Sequence, residues 1–247
     1  MAGPSLYTSM AGLQAINAQM QALSANLANQ QTPGYAAVQA VTEAANYQGG
    51  NAPTGADAVV LTPGPSLTQG SLQHTGDPMN VALGGNAWLE VQTGSGPALT
   101  RNGSLSISNA GILTDSAGNP VLGVGGQPIS LPNLAKLEIG TDGTVSGVPA
   151  SSPGGPAQVY GQINLVGTPA GTLTPLSGTL YSPPAGVTLS TATNGSLHQG
   201  YLNGSNVNSI QSMMQLIADS RSYQTQTDLM KSQGNSAADL NALLAQG

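Results

Sequence analysis

Residues 5–29 read SLYTSMAGLQAINAQMQALSANLAN, and Pro33-Gly34 follows soon after them. Apolar side chains recur every three or four residues through this stretch, at Leu6, Met10, Leu13, Ile16, Met20, Leu23 and Leu27. This spacing is typical of a coiled-coil seam on one face of an α-helix. Because Pro-Gly does not continue a helix, the pattern predicts a helix from about Ser5 to Asn29.

A second apolar stripe lies near the other end of the chain and consists of Ile210, Met213, Leu216, Ile217 and Tyr223. Asn208 is a suitable N-cap, and Gln211 completes a capping-box-like pair with it. These features predict a second helix. We expect Gly234-Asn235 to break or bend it, and Ser236 with Asp239 to cap a short last helix.

The segment between the stripes favours β structure, because short apolar runs alternate with turn signals. Asn102-Gly103, Asp142-Gly143 and Asn194-Gly195 are predicted turns, the first two within hairpins. The run YGQINLV at 160–166 predicts one strand, and residues 48–57 and 149–156 predict loops. Since no helix-length pattern interrupts this segment, we expect antiparallel sheets.

The predicted fold class is therefore α+β, with a β-rich antiparallel middle and an α-helix at each end. We divide the chain into residues 1–42 (first helix), 43–195 (β region) and 196–247 (second helix). The first helix has no charged residue, since Glu43 is the first in the chain. A helix without ion pairs gains little stability alone, so we expect the two helices to pair in a coiled-coil-like inner domain. The alternative is an ordinary amphipathic helix packed on the chain's own β region.

Composition argues against several classes of partner. Charged residues make up 6% of the 247 residues, and the net charge is −6. The basic residues are Arg101, Lys136, Arg221 and Lys231, too scattered to follow a nucleic-acid backbone or an anionic membrane. There is no apolar run of membrane-spanning length, no cysteine and no basic, apolar leader typical of a secretory signal.

Catalytic and ligand-binding patterns are also missing from the sequence. There is no G-x-S-x-G elbow, no phosphate-binding loop and no calcium-loop spacing of carboxylates. His74 lies three residues from Asp77, but a polar loop histidine beside a turn-forming aspartate is the simpler interpretation. We expect no catalytic, cofactor-binding or metal site.

Five stretches resemble the flagellar axial proteins. The signature that follows the first helix of these proteins resembles SANLANQQTPGYAA (24–37). The signature around their second helix resembles QGYLNGSNVNSIQSMMQLIADSRSY (199–223). QGSLQHTGDPMNVALGGNAWLEVQT (69–93), TRNGSLSISNAGILTDSAGNPVLG (100–123) and IGTDGTVSG (139–147) are similar to the β region of rod proteins, in order. The motif positions are Asn26, Leu27, Ala28, Asn29, Thr32, Pro33, Gly34 and Tyr35, and Gly204, Ser205, Asn206, Val207 and Asn208.

The resemblance implies a structural, non-enzymatic subunit of the flagellar rod, with the proximal-rod subtype favoured by length. A distal rod protein or another axial protein is the main alternative, and a secreted β-rich adhesin or carbohydrate-active enzyme is a remote one. The resemblance also implies that such proteins are exported unfolded through the flagellar type III export apparatus. They assemble with copies of themselves and with other proximal and distal rod subunits into a helical shaft that crosses the periplasm and transmits torque. The two apolar seams would then form the contacts between subunits.

Overall fold

The computed structural model describes residues 4–46, 56–167, 173–183 and 189–244. The chain divides into two compact units. The helical unit comprises Met1–Leu27, Val38–Pro63 and Asn208–Gly247, and the β unit comprises Ala28–Ala37 and Gly64–Val207. The chain therefore crosses from one unit to the other four times.

The helical unit contains α1 (Pro4–Ala28), α2 (Ser209–Leu244) and a two-stranded sheet of β1 (Val38–Asn46) with β2 (Ala56–Pro65), whose last two residues belong to the β unit. The first predicted helix is confirmed to within one residue at each end. The predicted cap of the second is also confirmed, since the Gln211 N–H donates to Asn208 Oδ1 over 3.1 Å. No helix in the described part of the chain has the length and apolar character needed to span a bilayer.

The β unit holds the remaining strands: β3 (Leu72–His74), β4 (Val81–Gly84), β5 (Ala87–Thr93), β6 (Gly96–Thr100), β7 (Ser106–Ile107), β8 (Leu113–Thr114), β9 (Leu134–Ile139), β10 (Thr144–Pro149), β11 (Gln158–Gln162), β12 (Leu165–Gly167), β13 (Thr174–Ser177), β14 (Leu180–Ser182), β15 (Ser190–Thr191), β16 (Ser196–Gln199) and β17 (Tyr201–Asn203). A six-stranded sheet has the order β13-β14-β6-β5-β12-β15, and a three-stranded sheet the order β11-β10-β9. Three further strand pairs are β16-β4, β17-β3 and β7-β8. All these pairings are antiparallel, as expected.

Two apolar clusters form the core of the β unit, and β5 contributes to both. Successive side chains of a strand point to opposite faces of its sheet. Leu89 and Val91 accordingly belong to the larger cluster, while Trp88 lies in a smaller one. The smaller cluster also contains Ala36, Leu99, Val166, Leu173 and Tyr181. Trp88 is fully buried, so the single tryptophan is a core residue.

The three predicted turns have different outcomes. Asp142-Gly143 is confirmed as the turn of the β9–β10 hairpin, with Gly143 at φ +88°. Asn194 is also in a turn, although the flanking strands β15 and β16 pair in different sheets. The Asn102-Gly103 hairpin is wrong, because β6 pairs with β5 and β14 and not with β7. A Cβ at Gly103 would lie 1.7 Å from the Val81 carbonyl oxygen, so glycine is needed there for close backbone approach.

Other sequence-based boundaries differ from the structure. The predicted strand at 160–166 is two strands, because Ile163 and Asn164 separate β11 from β12 and the two pair in different sheets. Residues 196–203 form β16 and β17, so the second helix begins only at Ser209. The break at Gly234-Asn235 is wrong, since α2 continues through it and the Ser236 hydroxyl donates to the Ser232 carbonyl inside the helix. Residues 150–156 form turns as expected, but the loop at 48–57 lies mostly outside the described residues, and Ala56 already begins β2.

Candidate functional site

The predicted seam of α1 is partly accessible to solvent in the single chain. Met10 is 45% exposed. The side chains of Leu13, Ile16, Met20, Leu23 and Leu27 are all half-buried. Leu6 lies in α1, but its side chain is outside the described residues. Among the α1 side chains that the structure describes, those of Ala15 and Asn26 are buried, and neither belongs to the apolar seam.

The predicted seam of α2 is still more open. Ile210 is 71% exposed, Ile217 53% and Met213 48%, whereas Leu216 is half-buried. Tyr223 is also exposed, at 39%, and Met214, which was not predicted, is 61% exposed. Large apolar side chains clustered on a surface commonly mark a site of protein association.

A glycine of α1 and a glutamine of α2 mark one point where the two helices approach each other. A Cβ added at Gly12 would lie 3.8 Å from Nε2 of Gln226. On α2 the side chain of Asp219 is buried, and its Oδ1 accepts from Gln215 Nε2 over 2.9 Å. Ile210, Met213 and Ile217 of the α2 seam remain exposed in the single chain.

The first family motif forms a tight turn after α1. Thr32 donates from its backbone N–H to the Asn29 carbonyl and from its hydroxyl to Asn29 Oδ1, both over 3.1 Å. The Tyr35 N–H then donates to the Thr32 carbonyl over 3.2 Å. Burial raises the pKa of the Tyr35 hydroxyl above its usual value, partly offset by a hydrogen bond with the Asn29 side chain.

The structure brings the two family motifs together inside the β unit. The Gly34 N–H donates to the Asn203 carbonyl over 2.7 Å, and the Asn206 N–H donates to the Tyr35 carbonyl over 3.3 Å. Gly34 has φ +69°, and a Cβ there would lie 2.3 Å from the Arg101 carbonyl oxygen. Only glycine tolerates both that conformation and that contact. Pro33-Gly34 therefore fixes a contact between chain segments as well as ending a helix.

Asn206 links three segments of the β unit through its side-chain amide. Its Oδ1 accepts from the Ala37 N–H over 2.6 Å. Its Nδ2 donates to the carbonyl oxygens of Ser66 and Thr68, over 3.2 and 2.7 Å. An asparagine amide offers a donor and an acceptor side by side, as a peptide group does. Asn206 thus acts as an extra peptide group at the end of a strand pair.

Two more asparagines use the same geometry. The Asn26 amide exchanges two hydrogen bonds of 2.8 Å with the N–H and carbonyl of Val38, both within the helical unit. In the β unit, the Asn203 amide accepts from the Leu83 N–H over 2.6 Å and donates to the Leu83 carbonyl over 3.1 Å. Both side chains are buried. Asn203 was not among the predicted residues, although it directly precedes Gly204 of the second motif.

Arg101 is the second residue that sequence reasoning missed. Its guanidinium is buried, lies 5.4 Å from the centroid of the Trp88 ring, and donates to the carbonyl oxygens of Leu67 and Gly85. Burial lowers the pKa of Arg101 from its usual value. The one available signal was a lone arginine in a β region almost free of basic residues.

Tyr181 attaches the first motif to the core of the β unit. Its hydroxyl donates to the Ala36 carbonyl over 2.9 Å, and its ring packs edge-on against Trp88 with 5.2 Å between centroids. Burial raises the pKa of the Tyr181 hydroxyl, with the neighbouring Tyr35 adding to the effect and the bond to Ala36 opposing it. The hydroxyl therefore stays protonated and continues to donate well into the alkaline range.

The remaining polar side chains of the described residues stabilise turns or pair on the surface, and they do not form a recognisable reactive centre. His74 packs edge-on against Tyr201 at 4.8 Å, while Asp77 Oδ1 accepts from the Met79 N–H in a turn. In the part of the chain that the structure describes, no three histidine, aspartate or glutamate side chains converge as metal ligands would. A cavity of about 540 Å³ is lined by Gly85, Asn86, Gly167, Ser190, Thr191, Ala192, Thr193 and Asn194, none of which is titratable.

Comparison with known proteins identifies the family. The model described as the FlgE/F/G D1 domain of flagellar hook proteins matches residues 82–147, and that described as the C-terminal part of flagellar basal body rod FlgEFG proteins matches residues 198–243. The flagellar basal-body rod protein FlgF of Escherichia coli (strain K12) is 33% identical over 97% of this chain and 98% of its own. FlgF of Salmonella typhimurium (strain LT2) is 32% identical over the same shares. The rod protein FlgG of Buchnera aphidicola subsp. Schizaphis graminum is 31% identical over 90% of this chain and 92% of its own. Because the similarity extends through both terminal helices and the β region between them, the chain belongs to the flagellar basal-body rod protein family.

Proposed function

We propose that this protein is a structural subunit of the proximal rod of the bacterial flagellar basal body, and not an enzyme. The observation that carries the proposal is the full-length similarity to relatives named basal-body rod protein FlgF. Similarity to proteins named FlgG covers slightly less of the chain, so a distal-rod position is the alternative. The proposed partners of this protein are other axial proteins of the rod and hook and further copies of the chain.

The mechanism that we propose for assembly uses the two apolar seams. Side chains such as Ile210 and Ile217 are more than half exposed in the single chain. Burying one large apolar side chain contributes about 1.5–3 kcal/mol. Contacts of these stripes with helices of neighbouring subunits would offset the entropy lost on ordering the chain ends. Coiled-coil-like pairing of α1 with α2, beginning from the approach of Gly12 to Gln226, would complete an inner domain.

The proposed path to the rod is export in an unfolded state through the flagellar type III apparatus. Head-to-tail contacts that do not close on themselves then generate a helical shaft across the periplasm. That shaft would carry torque from motor to hook. The absence of charged residues from α1 fits this role, because an uncharged helix can be buried against several neighbours at low desolvation cost.

Deleting the gene and examining basal bodies by electron microscopy tests the proposal. A proximal-rod subunit predicts loss of swimming and rods that stop short, both restored by the wild-type chain. A distal-rod position predicts a longer truncated rod that retains its proximal part. Normal flagella in the deletion strain would overturn the assignment and return the adhesin and enzyme alternatives to consideration.

A further inference from the structure

The places where the chain passes between its two units are reinforced by asparagine side chains. The four crossings lie at residues 27/28, 37/38, 63/64 and 207/208. In the helical unit, Asn26 bonds both backbone groups of Val38, which joins the first crossing segment to the second. In the β unit, Asn206 bonds Ala37 and Ser66 and so joins the second, third and fourth segments.

The placement of Asn206 within a strand pair is specific. The Ser66 N–H donates to the Ala37 carbonyl over 2.7 Å, as in an antiparallel ladder. The neighbouring rung is not a direct bond: the Asn206 amide lies between the Ala37 N–H and the Ser66 carbonyl and bonds to each. Hydrogen bonds that lie side by side between neighbouring chain segments share a pulling force, because all of them must break before the segments separate.

We propose that Asn26 and Asn206 are mechanical clamps that keep the four crossing segments together when the protein bears load. The proposal rests on the proposed function, since a rod subunit transmits torque while a free protein does not. Without the Asn206 side chain, fewer hydrogen bonds would join the segment at 207/208 to the segments around Ala37 and Ser66 when α2 is pulled. With Asn206 in place, the same pull is distributed onto the segments around Ala37 and Ser66.

Single-molecule pulling on the full chain measures clamping directly. The chain has no cysteine, so cysteines introduced at the exposed positions Gln127 and Gln224 give unique attachment points in the two units. Under constant force, Asn206→Ala should shorten the lifetime before the first extension step about tenfold, because the bonds of its amide to Ala37, Ser66 and Thr68 are lost at once.

Asn102→Ala is the matched control. Asn102 is a buried asparagine of the β unit whose side-chain amide bonds Ser116 and the Ser104 N–H and no group of the crossing segments. The Asn102→Ala substitution should lower the melting temperature about as much as Asn206→Ala does. It should leave the lifetime under force close to that of the wild type. Equal lifetimes for the two variants would overturn the clamp.

Asn26→Ala gives a second route if Asn206→Ala does not fold, and it should also shorten the lifetime under force. A wild-type lifetime for Asn26→Ala would overturn the proposal for that clamp.

The pulling result does not depend on the assignment to the rod. A shortened lifetime together with normal flagella in the gene deletion would retain the clamps and reject the rod function.

Discussion

The backbone N–H of Gly34 donates a 2.7 Å hydrogen bond to the carbonyl oxygen of Asn203. This bond joins the turn after the first helix to the strand that precedes the second. Similar links surround it, from Asn206 to Tyr35 and from Tyr181 to Ala36. The two sequence motifs typical of the family are therefore two halves of one junction in the β unit.

Replacing Gly34 tests that junction. Gly34→Ala should lower the free energy of unfolding by about 2–4 kcal/mol, because φ is +69° and the new Cβ would clash with the Arg101 carbonyl. Gly178→Ala is the control: φ is +57° there, but no atom lies within 4 Å of the added Cβ, so the loss should be about 1 kcal/mol. Denaturant unfolding of both variants measures the difference, and equal losses would contradict the close contact.

Removing the Tyr181 hydroxyl should destabilise the protein. Tyr181→Phe leaves the Ala36 carbonyl without this donor in a buried site, at a cost of about 1–3 kcal/mol. Tyr160→Phe is the matched control, since the Tyr160 hydroxyl is buried and has no hydrogen-bond partner in the described structure. Its removal should be neutral or slightly stabilising. Thermal unfolding that shows equal losses for both variants would contradict the role of the Tyr181–Ala36 bond.

Stability should fall at alkaline pH. Burial raises the pKa values of Tyr35 and Tyr181 in the folded protein above their usual value of 10.0. Above pH 10 the unfolded chain therefore loses tyrosine protons that the folded chain retains, and unfolding becomes easier. One such tyrosine contributes a slope of at most about 1.4 kcal/mol per pH unit, over the range between its pKa in the unfolded chain and its pKa in the folded chain. Tyr181→Phe should reduce the slope measured between pH 10 and pH 12, and an unchanged slope would argue against Tyr181 as its source.

Local patterns allowed the helices and one hairpin to be predicted. The seam from Leu13 to Leu27, the Asn208 cap and the Asp142-Gly143 turn depend on residues close together in the chain. Asn102-Gly103 has the same local signal as Asp142-Gly143, but the close approach of Val81 to Gly103 determines its conformation. Gly234 favours a helix end by propensity, yet α2 continues, since one glycine costs only about 1 kcal/mol.

The junction could be predicted only in part. Its motif residues were found from their resemblance to a family, whereas their partners lie far away in sequence. Asn203 bonds Leu83 across 120 residues, and Asn206 bonds Ala37 across 169. Arg101 carries no periodic signal, because its role depends on carbonyl groups supplied by two separate loops. Long-range polar contacts of this kind leave no spacing in the sequence that could be recognised.

The most direct test of the proposed assembly through the apolar seams is to count complete rods in basal bodies from a deletion strain that carries altered chains. Leu13→Asp with Met20→Asp places two carboxylates in the α1 seam, where burial against a neighbouring subunit would be strongly unfavourable. Gln14→Asp with Gln21→Asp adds the same charge at the same spacing on exposed positions of α1. Assembly through the seam predicts rods with the second pair of substitutions and none with the first, while the β unit stays folded in both. Complete rods and normal swimming with the seam substitutions would contradict it.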